Sequence, residues 1–175
     1  MRGRQPILNG LLGMSMILMF GVMSLSAGED PSKATLVDRI LVEKSKRTMT
    51  LFSGGKVVRN YLVALGGEPV GPKEREGDHK TPEGFYTIDS KNARSKFHLA
   101  LHISYPDEAD RKRARKLGVS PGGAIMIHGL PKEFAYLRPL HRKTDWTDGC
   151  IAVTNEEIEE IWRLVKIGTP VEIRP

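Results

Sequence analysis

The chain has a single cysteine, Cys150, in 175 residues, so no internal disulfide can form and a cystine-stapled scaffold is excluded. Aromatic residues make up only 6%, and they do not alternate with basic ones as a base-stacking surface requires, which argues against nucleic acid as a partner. There is no internal repeat and no low-complexity tract, which removes solenoids, propellers and compositional linkers. Neither sign of charge dominates: 27 Lys and Arg stand against 21 Asp and Glu. The surplus of +6 admits anionic partners without identifying one. A charged fraction of 27% excludes a polytopic membrane protein, and a hydrophobic share of 39% argues against wholesale disorder. At this length there is room for one globular domain and little more.

The first thirty residues differ from the rest. Arg2 and Arg4 form a basic leader, and no charge follows from Gln5 to Gly28. Leu11, Leu12, Met14, Met16, Ile17, Leu18, Met19, Phe20 and Val22 supply an apolar centre, and Ser24-Leu25-Ser26-Ala27 supplies small residues. This order is that of a secretory signal spanning residues 1–26, with cleavage expected after Ser26. An uncleaved membrane anchor is the competing reading, weakened by Asn9, Gly10, Gly13 and Gly21. Both keep the arginines inside and export the remainder, to the periplasm or cell envelope. Contact with a membrane is expected only through this segment, if it is retained.

Downstream the pattern is mostly that of strands. Ile40-Leu41-Val42 and Met49-Thr50-Leu51-Phe52 flank Ser45-Lys46-Arg47 as a hairpin, and Gly54-Gly55 makes a second turn before a strand over Val57–Leu65. Residues 66–80 read as loop. Phe85–Ile88 and Phe97–Tyr105 read as further strands, the second alternating with period two. Asp107 can cap a short helix running to Lys116 and closed by Gly118. Ala124–Ile127 forms an apolar strand ending at His128-Gly129, and a brief helix is expected between Pro131 and Pro139. Thr154 and Glu157 make a capping box, behind which Ile158, Ile161, Trp162 and Val165 form a helical core face. Val171-Glu172-Ile173 closes the chain as a strand. The expected domain, over 38–174, is mostly β with a few short helices.

Chemistry centres on Cys150 in Thr147-Asp148-Gly149-Cys150-Ile151. A lone thiol in an exported protein is either an intermolecular link or a reactive group. A nucleophilic thiol needs a base and donors for the oxyanion. His128, ending an apolar strand before Gly129, is the best candidate base. The competing reading is a buried, inert cysteine with a surface histidine.

Ile127-His128-Gly129 followed by Thr147-Asp148-Gly149-Cys150-Ile151 resembles the L,D-transpeptidase catalytic domain (YkuD-type) of bacterial cell-wall enzymes. The stretch from Gly77 to Tyr86, with Thr81-Pro82-Glu83-Gly84 inside it, is similar to a second family block. Tyr105-Pro106 and Pro121-Gly122-Gly123 fit as well. The resemblance implies a β-sandwich-like fold and no cofactor or metal. It also implies acyl transfer from peptidoglycan stem tetrapeptides to an amine, with a lipoprotein or a D-amino acid among the possible acceptors. Water in place of the amine would make the site a hydrolase. In this scheme Cys150 is the nucleophile and His128 the general acid/base, an ion pair between them lowering the thiol pKa. Amides around Gly149 and Cys150 hold the oxyanion. Trp146, Thr147, Asp148 and Gly129 are candidates for binding or orienting substrate. Asp148 stands where the family commonly has a second histidine, and Ala152 where it has Arg or Asn. The segment between His128 and Thr147 is slightly long. The run Asp145-Trp146-Thr147-Asp148-Gly149-Cys150 is nearest to the family's exported branch.

Two further signals carry less. His98 and His102 would lie about 13 Å apart on a strand, too far for one metal. Arg111, Lys112, Arg113, Arg115 and Lys116 read as a solvated helix face.

Overall fold

Turn chemistry reverses the chain twice at the start of the domain. The computed structural model describes Met1 and residues 36–175, and the leader assigned to residues 1–26 lies outside the described residues. Strand β1 (Arg39–Glu43) turns at Arg47, where φ is 50°, into β2 (Thr48–Ser53). Ile40 then pairs with Leu51 and Val42 with Met49, which places all four in the core. Gly54-Gly55 leads into β3 (Lys56–Leu62), and Val63–Leu65 run on as buried irregular chain.

Strand β4 (Gly84–Ser95) is longer than Phe85–Ile88 because it serves two partners. Its first residues pair with β8 (Pro170–Arg174), and the rest pair with β5 (His98–Ile103) across a register shift after Ile88. Such irregularities bend a strand, so β4 carries the sheet from one side of the core to the other. Its polar half, Asp89–Ser95, has too little apolar alternation to be read as strand locally; pairing with β5 decides it.

The helices follow their caps. Helix α1 (Glu108–Leu117) starts on an Asp107–Asp110 capping box and ends at Gly118 in the left-handed conformation. Strand β6 (Met126–His128) and strand β7 (Ile151–Ala152) flank a 3-10 segment, Lys132–Lys143. That segment breaks at Arg138 (φ 44°, ψ −131°) because Pro139 excludes the helical conformation from the residue before it. Helix α2 (Asn155–Leu164) has the expected Thr154–Glu157 box and buries Ile158 and Ile161.

All eight strands form one sheet in the order β3-β2-β1-β8-β4-β5-β6-β7. Beyond β3, Ala64 exchanges backbone hydrogen bonds with Ala152 of β7, at 3.0 and 2.8 Å. The two outer strands therefore meet and the curled sheet closes around Ile40, Leu51, Ile88, Leu101, Ile103 and Ile127. The loop over 66–80 is pinned from below by the buried Lys44. Its ammonium donates to the carbonyls of Gly71 (2.6 Å) and Thr81 (2.9 Å) and to Glu83 (2.7 Å). Among the described residues no helix is long and apolar enough to cross a membrane.

Candidate active site

Sheet register brings the two candidate reacting groups together. In the parallel β6–β7 pair, His128 lies opposite Ala152, and Cys150 immediately precedes β7. Cys150 is thus offset by two residues from the partner of His128, and the period of two puts both side chains on one face. Both line a single cavity of 420 Å³, together with Phe97, Ala124, Met126, Arg94 and Lys96.

His128 is buried, only 3% exposed. Its Nδ1 lies 2.7 Å from the Gly129 carbonyl. A carbonyl only accepts, so Nδ1 carries the proton and Nε2 is the basic nitrogen. Phe97 covers the ring with centroids 4.4 Å apart, and Trp146 meets it edge-on at 5.9 Å. A Cβ on Gly129 would sit 2.5 Å from Asn155 Oδ1 and 2.9 Å from Ile158. Gly129 therefore lets β6 approach the start of α2, and it orients His128 through its own carbonyl.

Cys150 is only partly buried, and its thiol donates to the Ala124 carbonyl at 3.6 Å. Burial pushes its pKa up; the Met126 amide lowers it and the Asp148 charge raises it further. Burial also pushes His128 down, with the Gly129 carbonyl opposing. Both shifts favour a neutral thiol beside a neutral imidazole over the expected thiolate–imidazolium pair. Burial is the largest cause in both groups, and the Lys73 charge, which lowers the Cys150 pKa, does not offset it.

The turn bearing the thiol is internally braced. Thr147 Oγ1 accepts from the Gly149 amide (3.1 Å) and donates to the Cys150 carbonyl (2.7 Å). Thr147 therefore orients the turn, with its hydroxyl committed in both directions. The Gly149 amide expected at the oxyanion is engaged by that hydroxyl. Gly149 has φ 120°, and a Cβ there would lie 2.5 Å from the Lys80 carbonyl, so no side chain is tolerated. Asp145 fastens the start of the turn, accepting from the Leu65 amide (2.9 Å) and from Arg47 (2.8 Å).

Asp148 does not reach His128. It is largely exposed, and its Oδ1 lies 2.7 Å from Nδ1 of His79 in the facing loop. The pair borders a polar cavity of 330 Å³ with Lys73, Glu76 and Gly122. Neither His79, the partner of Asp148, nor Phe97, the cover of the base, is singled out by the amino-acid sequence. Neither has a local signature, since the partners lie 69 and about 30 residues away. The other two surface histidines take separate carboxylates, His98 with Glu159 and His102 with Asp89, both within 2.7 Å. Among the described residues no cluster of three potential metal ligands exists.

Trp146 has a second neighbour, His141, whose Nδ1 accepts from the indole at 3.5 Å. Burial and the neighbouring Arg142 push His141 down to about 4, so it is neutral at neutral pH. Beside these rings lies a cavity of 540 Å³ walled by Phe97, Leu130, Phe134, Leu140 and Trp146.

Comparison with known proteins identifies the family and the fold. The profile of the L,D-transpeptidase catalytic domain (YkuD) matches residues 37–173. YafK of Escherichia coli strain K12, which carries the L,D-transpeptidase name, is 29% identical over 132 residues, covering 72% of this chain and 46% of YafK. The chain thus spans about half the length of that relative. Pgp2 of Campylobacter jejuni, a helical cell shape determining protein, superposes with a TM-score of 0.57 at 26% identity over 81% of this chain and 51% of Pgp2. Bd1075 of Bdellovibrio bacteriovorus does so with 0.55 at 27% identity over 82% and 49%. The closed strand order, the shared face of His128 and Cys150, and a profile match across most of the chain place this protein in the L,D-transpeptidase catalytic domain family.

Proposed function

We propose that this chain is an exported peptidoglycan L,D-transpeptidase that works through a Cys150 thioester. The observation carrying the proposal is that the sole thiol and a buried imidazole with a free basic nitrogen line one cavity. His128 Nε2 takes the thiol proton as sulfur attacks the carbonyl of residue three of a stem tetrapeptide. The imidazolium so formed then protonates the departing amine of D-alanine. Because Gly149 is engaged with Thr147, the oxyanion falls to the Cys150 amide. An amine resolves the thioester and regenerates the thiol. The acceptor is a second stem, giving a 3→3 crosslink, or a lipoprotein or D-amino acid amine.

Charge supports this donor: Arg94 and Lys96 border the thiol cavity, and stem peptides carry carboxylates. The basic-then-apolar order of residues 1–26 supports action in the periplasm or cell envelope.

Incubating the purified protein with tetrapeptide muropeptides and separating products by mass spectrometry tests the reading. Dimers or amine-exchanged monomers lacking D-alanine are expected. Shortened tripeptides alone would make the protein a hydrolase using the same thiol. Unchanged tetrapeptide, with the thiol also unmodified by a carbapenem, would leave a non-catalytic wall-binding module.

A further inference from the structure

The cavity walled by Phe97, Leu130, Phe134, Leu140 and Trp146 is larger than the reaction so far described requires. It holds 540 Å³ and is almost wholly apolar, in the range of pockets that enclose whole ligands. Phe134 and Leu140 are 52% and 56% exposed. Its one titratable wall residue, His141, is neutral at neutral pH. Arg142, next to it, is committed to Glu157. No charge is offered to an ionic occupant.

The position of this cavity defines what enters it. Phe97 lines both this cavity and the thiol cavity. Phe97 and Trp146 are also the rings that touch His128. In acyl transfer, His128 must protonate the departing amine and deprotonate the incoming one, so both amines occupy its side of the thioester. The apolar cavity adjoins the base, separated from it by the Phe97 and Trp146 rings. The methyl group of a D-alanine leaving group would leave it nearly empty.

We propose that this cavity is the amine-side subsite, and that it selects an α-amine partner with a large aliphatic or aromatic side chain. The inference rests on the transpeptidase reading above. In the step it governs, the free amine attacks the thioester carbonyl. The C–N bond forms, the C–S bond breaks, and the electron pair returns to sulfur. The proton lost by nitrogen passes through His128 Nε2 to the Cys150 thiolate.

The test uses the full chain, a synthetic tetrapeptide donor and equal concentrations of glycine, D-aspartate, D-leucine and D-phenylalanine, with exchange products quantified by mass spectrometry. Burial of one such side chain corresponds to exchange about tenfold to a hundredfold faster than with glycine. Phe134→Ser and Leu140→Ser should reduce that preference to about threefold, read as the ratio of apolar-amine to glycine exchange within each variant. Equal rates for glycine and the apolar amines would overturn the proposal. So would variants that lose hydrolysis and exchange in proportion. An altered sedimentation state with unchanged selectivity would mean that a second copy covers the surface, and would overturn it as well. Binding of D-phenylalanine amide, followed by tryptophan fluorescence, separates the two readings. Binding weakened by Leu140→Ser without any turnover would keep the subsite and remove the transpeptidase reading. Neither binding nor turnover would remove both.

Discussion

His128→Asn is expected to lower the rate of D-alanine release from tetrapeptide about a thousandfold, with little change in KM. Asparagine can keep the hydrogen bond that Nδ1 makes to the Gly129 carbonyl, so the fold should survive and thermal unfolding should shift little. What it lacks is the second nitrogen. A neutral thiol has no thiolate held in reserve, so the base must act in the same step as the attack. Its loss therefore falls on kcat. The pH profile should change too. Burial lowers the His128 pKa, and the protonated ring cannot accept the thiol proton. Wild-type activity is therefore retained as pH falls to the ordinary histidine value and is lost only below it. In His128→Asn that acid limb should vanish. A loss under about tenfold, or an acid limb that persists in the variant, would assign the base elsewhere.

Alkylation of Cys150 by iodoacetamide reports the resting state of the pair. Only the thiolate reacts, and burial holds the Cys150 pKa above its ordinary value. The second-order rate constant should rise about tenfold per pH unit, hence about a hundredfold from pH 6 to pH 8, with no plateau near neutrality. A preformed thiolate–imidazolium pair would react nearly as fast at pH 6 as at pH 8. Asp148→Asn should raise the rate modestly at each pH, because the Asp148 charge adds to the upward shift.

The two shifts mark the boundary of what the amino-acid sequence reveals. Motif spacing is enough to single out Cys150 and His128, whereas their meeting in space comes from the β6–β7 pairing, which the strand pattern does not specify. The protonation state depends on how deeply each is buried and on which carbonyls and amides surround it. Those neighbours, Gly129, Ala124 and Met126, acquire their roles only from three-dimensional packing. Local chemistry was legible where it is local: the Thr154–Glu157 box and the Asp107 cap start their helices as expected, and Asp110 completes a box on the second. The alternation in β5 likewise buries Leu101 and Ile103.

The unread parts are those decided by distant partners. Asp148 was a candidate to orient His128, yet it turns to His79, a residue 69 positions earlier. The polar end of β4 becomes strand because β5 pairs with it. The apolar cavity depends on the Lys132–Lys143 segment staying irregular around Pro139, which leaves Phe134 and Leu140 exposed beside Trp146. A helix through Pro139 would have arranged those side chains differently.

The measurement that bears most directly on the account is the intact mass of the protein mixed with tetrapeptide at short times. The predicted result is a covalent species heavier by the tripeptide acyl group, mapped to Cys150, absent from Cys150→Ala and consumed when an amine is added. Release of D-alanine at an undiminished rate from Cys150→Ala, or turnover without any acyl-protein adduct, would contradict it.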